Sequence, residues 1–200
     1  MFEPYQHPDT KAMRSCTLCA DHLPLGPKPI FRVHPKARVA LISQAPGRKA
    51  HQSGTAWDDQ SGERLREWLD MDWDSFYHSP LLAVVPMGFC YPGKGKSGDL
   101  PPRPECAPQW HDTALKLMPN LSFYILIGLY AQKAYLGSAR KRTLTETVRQ
   151  FGEYLPQAMP LPHPSPLNTG WLRRNTWFES DVLPVLRHRI RAERASLTDQ

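Results

Sequence analysis

Residues 123–137 read FYILIGLYAQKAYLG, and this stretch decides the fold. Phe123 to Ile127 run without polar alternation. A strand with one wet face alternates; a continuous apolar run is buried on both faces, as in a parallel sheet. Gly128 breaks the run, and LYAQKAYLG follows at once as a helix. A strand that feeds straight into a helix is the first half of a βαβ unit. Two more apolar runs lie upstream. RVALISQAPG (38–47) holds a short strand, Val39 to Ile42, stopped by Pro46 and Gly47, and LLAVVPM (81–87) holds another. Between them SGERLREWLDM (61–71) places Leu65, Trp68 and Leu69 at helical spacing, with Glu63, Arg64 and Glu67 on the other side and Ser61 as the expected N-cap. PECAPQWHDTALKLM predicts a helix from about Pro104, residues 155–162 a weak fourth strand, and NTWFESDVLPVLRHRIRAER a closing helix broken or begun near Pro184. This alternation predicts a three-layer α/β/α sandwich around a central parallel sheet of about four strands. In such folds sites form at the carboxyl ends of strands. SQAPG, PMGFCYPGKG and HPSPLN all follow expected strands and are expected to converge.

The bulk numbers narrow the class. A chain of 200 residues is expected to form a single domain spanning 1–200. No apolar run approaches membrane-spanning length, and the N-terminus lacks the apolar centre of a secretory signal, so a cytoplasmic protein with no membrane partner is expected. A net charge of +6 and a pI near 9.3 favour a polyanionic partner such as nucleic acid. Basic residues cluster at 94–96, 140–142, 173–174 and 187–194; the last cluster also reads as the solvated face of a terminal helix. The 21 prolines fall in the connections, so the loops are stiff. The stiffest is PLPHPSPLN (160–168), where prolines at 160, 162, 164 and 166 surround His163 and push Leu167 outward.

Cys16 and Cys19 form C-x2-C; Cys90 and Cys106 form a second, wider pair. A cytoplasmic protein seldom keeps disulfides, so paired cysteines point to a metal. Four thiolates suit zinc and an iron–sulfur cluster equally, and His22 in CTLCADH is a substitute ligand. Such a site would tie the N-terminal segment, 1–35, to the loop 90–106.

Taken together, these motifs resemble the uracil-DNA glycosylase superfamily, closest to its iron–sulfur forms, family 4 and family 5. SQAPG stands where family 4 has GEAPG; GTAWDDQSGERL supplies the glycine, the aromatic and the helix start; CYPGKGKSGDLPPRPEC keeps the cysteines, prolines and glutamate of the third motif. HPSPLN is similar to the last motif of the family-1 enzymes. The resemblance implies a monomeric DNA glycosylase that hydrolyses the N-glycosidic bond of uracil or another deaminated or damaged base flipped out of DNA. It implies a [4Fe–4S] cluster, with zinc as the alternative, on Cys16, Cys19, Cys90 and Cys106. It implies that His163 stabilises the leaving base, that Trp57 stacks on it, and that Gln44 and Ala45 face the base or water. Leu167 would wedge into the gap in the duplex, with Ser165, Asn168, Arg173 and Arg174 on DNA. Three positions depart from the pattern. Ala45 stands where family 1 has its water-activating aspartate, and Ala50 and His51 where family 4 has an acidic pair. Pro86 replaces the uracil-reading asparagine. Asp58 and Asp59 remain to orient water or stabilise a sugar cation, or else to cap the helix. Two rival readings are a catalytically weak nucleic-acid-binding member of the same fold and a zinc-stabilised α/β hydrolase of a small molecule.

Overall fold

The computed structural model describes residues 5–198. A short helix, α1 (Pro8–Arg14), leads through an extended segment to β1 (Val39–Ile42). Next come α2 (Arg48–Ser53), α3 (Gln60–Leu69), α4 (Trp73–Tyr77) and β2 (Leu82–Val84). A small antiparallel hairpin, β3 (Lys94–Gly95) with β4 (Gly98–Asp99), precedes α5 (Cys106–Lys116). Then follow β5 (Phe123–Ile127), α6 (Gly128–Leu136), α7 (Leu144–Arg149), β6 (Ala158–Leu161), α8 (Thr169–Arg174) and α9 (Leu183–Thr198).

β1, β2, β5 and β6 form a parallel four-stranded sheet in the order β2-β1-β5-β6. The two layers around it explain the unalternating sequence. Val39 and Leu41 pack on one face with Leu65, Trp68 and Leu69 of α3 and Leu186 and Ile190 of α9. Ala40 and Ile42, their neighbours along the strand, pack on the other face with Met13, Phe89, Ala114 of α5 and Ala131 of α6. Each strand residue therefore meets apolar partners whichever way it points. Pro160 lies in β6, an edge strand, where a missing N–H breaks no ladder on the outer side.

Several element boundaries differ from the sequence-based expectation. The N-cap of α3 is Asp59, not Ser61: its Oδ1 accepts from the Gly62 N–H at 2.9 Å, and the helix begins at Gln60. α5 starts at Cys106, later than Pro104, after a turn in which the Cys106 N–H donates to the Arg103 carbonyl. The closing segment divides into a π-helical turn, Phe178–Val182, and α9. Pro184 falls in the first turn of α9, where no intrahelical N–H is required.

Because β1 is paired with β2 on one side and β5 on the other, the chain reverses its winding between β1 and β5. The carboxyl ends there splay apart and leave a crevice, the usual location of a site in an open α/β sheet.

Candidate active site

That crevice is a cavity of about 450 Å³. Its wall comes from the β1 exit (Ser43 to Gly47), Pro86 after β2, Trp57 and Asp59 before α3, the 97–99 turn of the hairpin, and His163, Ser165, Leu167 and Asn168 after β6. The three expected segments thus meet here, joined by a hairpin that the sequence reading passed over.

The loop after β6 is held at both ends and in the middle. The Ser165 N–H donates to His163 Nδ1 at 3.2 Å, and Asn168 Nδ2 donates to the His163 carbonyl at 2.8 Å. The Leu167 N–H donates to Ser165 Oγ at 3.2 Å. From α3, Arg64 Nη1 donates to the Pro164 and Ser165 carbonyls at 3.3 and 3.1 Å. Prolines at 162, 164 and 166 supply no N–H, so the backbone depends on these side-chain contacts for its order. Two consequences follow for chemistry. Nδ1 of His163 is an acceptor, so in the neutral ring the proton sits on Nε2. Burial pushes the His163 pKa down, against the opposing pull of Asp59, so the ring is neutral near pH 7. Leu167, by contrast, is 81% exposed, an apolar side chain projected from a rigid turn.

Trp57 is both a cavity wall and part of the core, 9% exposed, with its ring centroid 5.6 Å from that of His163. Its φ is 63°, in the left-handed region that bulky residues avoid. The strain is held in place through its carbonyl, which accepts from Tyr77 Oη at 2.7 Å and Arg66 Nη1 at 3.4 Å. Gly62 makes room: a Cβ at that position would overlap the Trp57 carbonyl. The helix that begins after Trp57 therefore also locks its conformation.

The remaining expected residues divide. Gln44 and Ala45 line the cavity, but the Gln44 amide is engaged: Nε2 donates to the Leu100 carbonyl at 2.9 Å, tying the hairpin exit to the β1 exit. Asp59 lines the cavity while capping α3; Asp58 is not part of the wall. Pro86 offers the cavity ring carbons, since its carbonyl faces His111 Nε2 at 3.0 Å, and His111 Nδ1 lies 2.8 Å from Tyr135 Oη. Arg173 and Arg174 stand exposed at the end of α8, beyond the cavity wall. Arg64 and Asp99 were missed. Arg64 looked like one charge among several on a wet helix face, and Asp99 carried no signal in a loop dominated by lysine, glycine and proline.

Cys16, Cys19, Cys90 and Cys106 come together around a second, smaller cavity, bounded also by Phe89, Arg103 and Trp110. The Phe89 N–H donates to Cys106 Sγ at 3.2 Å, and Trp110 Nε1 is buried with no partner among the described residues. Burial pushes the thiol of Cys90 up to about 11 and that of Cys106 up to about 12. Buried thiols such as these need a cation nearby before they can ionise. The donor set fits a four-thiolate centre, and the free indole N–H fits a sulfur acceptor nearby. Among the described residues no group of three or more Cys, His, Asp or Glu is gathered tightly enough to hold a metal ion. His22 is exposed and lies outside that wall.

Among the described residues no helix is long and apolar enough to cross a membrane. Residues 31–187 match the family model described as the Uracil DNA glycosylase superfamily. The match spans most of the chain, from the segment before β1 to α9, and takes in the whole of the sheet and all of the cavity wall except Ile30. The chain therefore belongs to the uracil-DNA glycosylase superfamily.

Proposed function

We propose that this protein is a DNA glycosylase that hydrolyses the N-glycosidic bond of a deaminated or damaged base held out of the duplex in the main cavity. The observation that carries this reading is the state of His163: neutral, with Nδ1 occupied by the Ser165 N–H and Nε2 left as the donor. A leaving base gains negative charge on an exocyclic carbonyl oxygen as the bond breaks. A fixed N–H aimed at developing charge is worth ~3–4 kcal/mol. A neutral imidazole already facing the cavity provides that without a proton-transfer equilibrium.

The other residues take complementary parts. Trp57 offers its face to the extruded base, and such stacking is worth ~1–3 kcal/mol per base. Leu167 fills the gap left in the stack, while Ser165, Asn168, Arg173 and Arg174 meet the backbone around it. Pro86 presents no amide to the base, so the substrate is defined as a class: bases with an oxygen that can accept from His163, of which uracil, hypoxanthine and xanthine are examples. The four cysteines would hold a [4Fe–4S] cluster. When bound, it cross-links the N-terminal segment to the loop that carries the hairpin, a structural contribution.

The test is a panel of duplexes with uracil, hypoxanthine, xanthine or a mismatch, scored for alkali-labile abasic sites under single turnover. At least one lesion should be processed, and His163→Ala should slow it while leaving affinity for an abasic duplex intact. The loss of the asparagine at Pro86 favours one other reading, a nucleic-acid-binding member with little catalysis. Tight, salt-dependent duplex binding with no base release from any lesion would establish that reading instead.

A further inference from the structure

Two carboxylates reach the mouth of the cavity from different elements. Asp59 comes from the start of α3 and Asp99 from β4. A Cβ built on Gly47 would lie 3.6 Å from Asp99 Oδ2 and 3.9 Å from Asp59 Oδ2, so one point touches both. The two are not equivalent. Asp59 Oδ1 is committed to the Gly62 N–H as the helix cap. Asp99 stands at the open rim, with the Tyr91 hydroxyl as its hydrogen-bonding neighbour and Lys94 opposite it in the hairpin register. Gln44, through the Leu100 carbonyl, holds the strand that delivers it.

With a base on the face of Trp57 and its oxygen at His163 Nε2, the sugar carbon attached to it faces the mouth. The group that handles water must stand there too. We propose that Asp99 orients and deprotonates the attacking water, with Asp59 contributing a second negative charge beside the sugar; this rests on the glycosylase reading above. In the step, the water oxygen bonds to C1′ as the C1′–N bond breaks. The bonding pair leaves with the base, whose oxygen accepts from His163 Nε2–H. The water proton passes to the Asp99 carboxylate and from there to the departing base or to solvent. Water is the one co-reactant; free base and an abasic site are the products. The hairpin thereby returns to the cavity the acidic function that positions Ala45, Ala50 and His51 do not supply.

The acid limb of the rate offers a specific signature. Burial holds the Asp99 carboxyl above the ordinary aspartate range; Lys94 opposes this, Asp59 adds to it, and the Tyr91 hydroxyl opposes it. His163, across the cavity, has its pKa pushed down by burial, with Asp59 opposing, and the His163→Ala profile separates its titration from that of Asp99. The working form of Asp99 is ionised, so the rate should fall as pH drops through that raised value, at less acid pH than for an ordinary aspartate.

The experiment is single-turnover base release across pH on the best lesion of the panel, for the wild type, Asp99→Asn, Asp59→Asn and His163→Ala. Asp99→Asn should slow release roughly 100-fold or more and erase the acid limb, with unchanged melting temperature and abasic-duplex affinity. Asp99→Glu should recover part of the rate. If Asp99→Asn releases base like the wild type while His163→Ala does not, the water-activating assignment is wrong and the glycosylase reading stands. If Asp59→Asn alone erases the acid limb, the role belongs to Asp59 and the assignment to Asp99 is overturned. If the wild type releases no base from any duplex, the glycosylase reading itself fails and takes this one with it.

Discussion

Replacing Gly62 by alanine sets two magnitudes against each other. In an ordinary helix interior, Gly→Ala stabilises by ~1 kcal/mol, because alanine loses less backbone entropy on folding. At Gly62 the added Cβ runs into the carbonyl of Trp57, which is backbone and has no rotamer to escape into. Trp57 cannot retreat freely either: its φ of 63° is already strained, and its ring is pinned between the core and His163. Forcing extra volume into a packed site costs ~1–3 kcal/mol. Moving the Trp57 carbonyl also breaks its bond from Tyr77 Oη, worth ~0.5–1.5 kcal/mol. Tyr77 Oη keeps a partner in the Ala56 carbonyl at 3.0 Å, so it is not orphaned and the larger penalty for an unsatisfied buried group does not apply. The net is a loss of about 2 kcal/mol, the opposite sign to the generic substitution. For a domain of this size that lowers Tm by about 4–8 °C. Thermal and urea unfolding of Gly62→Ala would measure it, with Gly152→Ala, where a Cβ meets open space, as the reference. Because the shift moves the Trp57 ring off His163, base release per folded molecule should fall as well. A Gly62→Ala variant as stable as the wild type, or more so, would refute the picture of α3 as a clamp on Trp57.

Three further outcomes are expected. Leu167→Ala should leave stability unchanged, since the side chain is exposed, and should slow base release by roughly one to two orders of magnitude on well-paired lesions, least on single strands, as measured by single-turnover assays on both. Protein purified without oxygen should be brown and contain iron; the Cys16→Ala, Cys106→Ala double variant should lose that absorbance and open the 90–106 loop to protease, whereas stoichiometric zinc in colourless protein would replace the iron–sulfur assignment. Burial depresses the pKa of both His111 and His163, so the folded state binds fewer protons than the unfolded chain. Their contribution to stability is full above the unfolded value of 6.5 and is lost as pH falls below it towards the folded values. The urea midpoint should therefore drop between about pH 7.5 and about pH 5, and less so in His111→Gln.

The architecture was legible in the chain because burial on two faces leaves a one-dimensional trace. FYILI and VALI show no alternation, and a parallel sheet covered on both faces buries such short runs. The place of the site followed from the same pattern, since three motif-bearing loops leave the carboxyl ends of strands. The four cysteines were legible as a set by composition alone, though their convergence from two segments far apart in sequence is a property of the fold.

What the tertiary structure decided is the assignment of duties within that site. Two adjacent aspartates, Asp58 and Asp59, are indistinguishable as letters; a backbone N–H at Gly62 and the direction of the chain made one a cap on the cavity wall and left the other outside it. Gln44 read as a residue facing the base, yet its amide serves the hairpin at Leu100. Arg64 read as solvated charge, yet it orders a loop whose prolines cannot order themselves. Asp99 gave no sign at all, because its meaning depends on a contact with residues that precede it by half the sheet. Periodicity records which side of an element is buried; it does not record which partner, distant along the chain, is waiting there. Hydrogen bonds are directional and short-ranged, so the roles they assign exist only once the strands have brought their ends together.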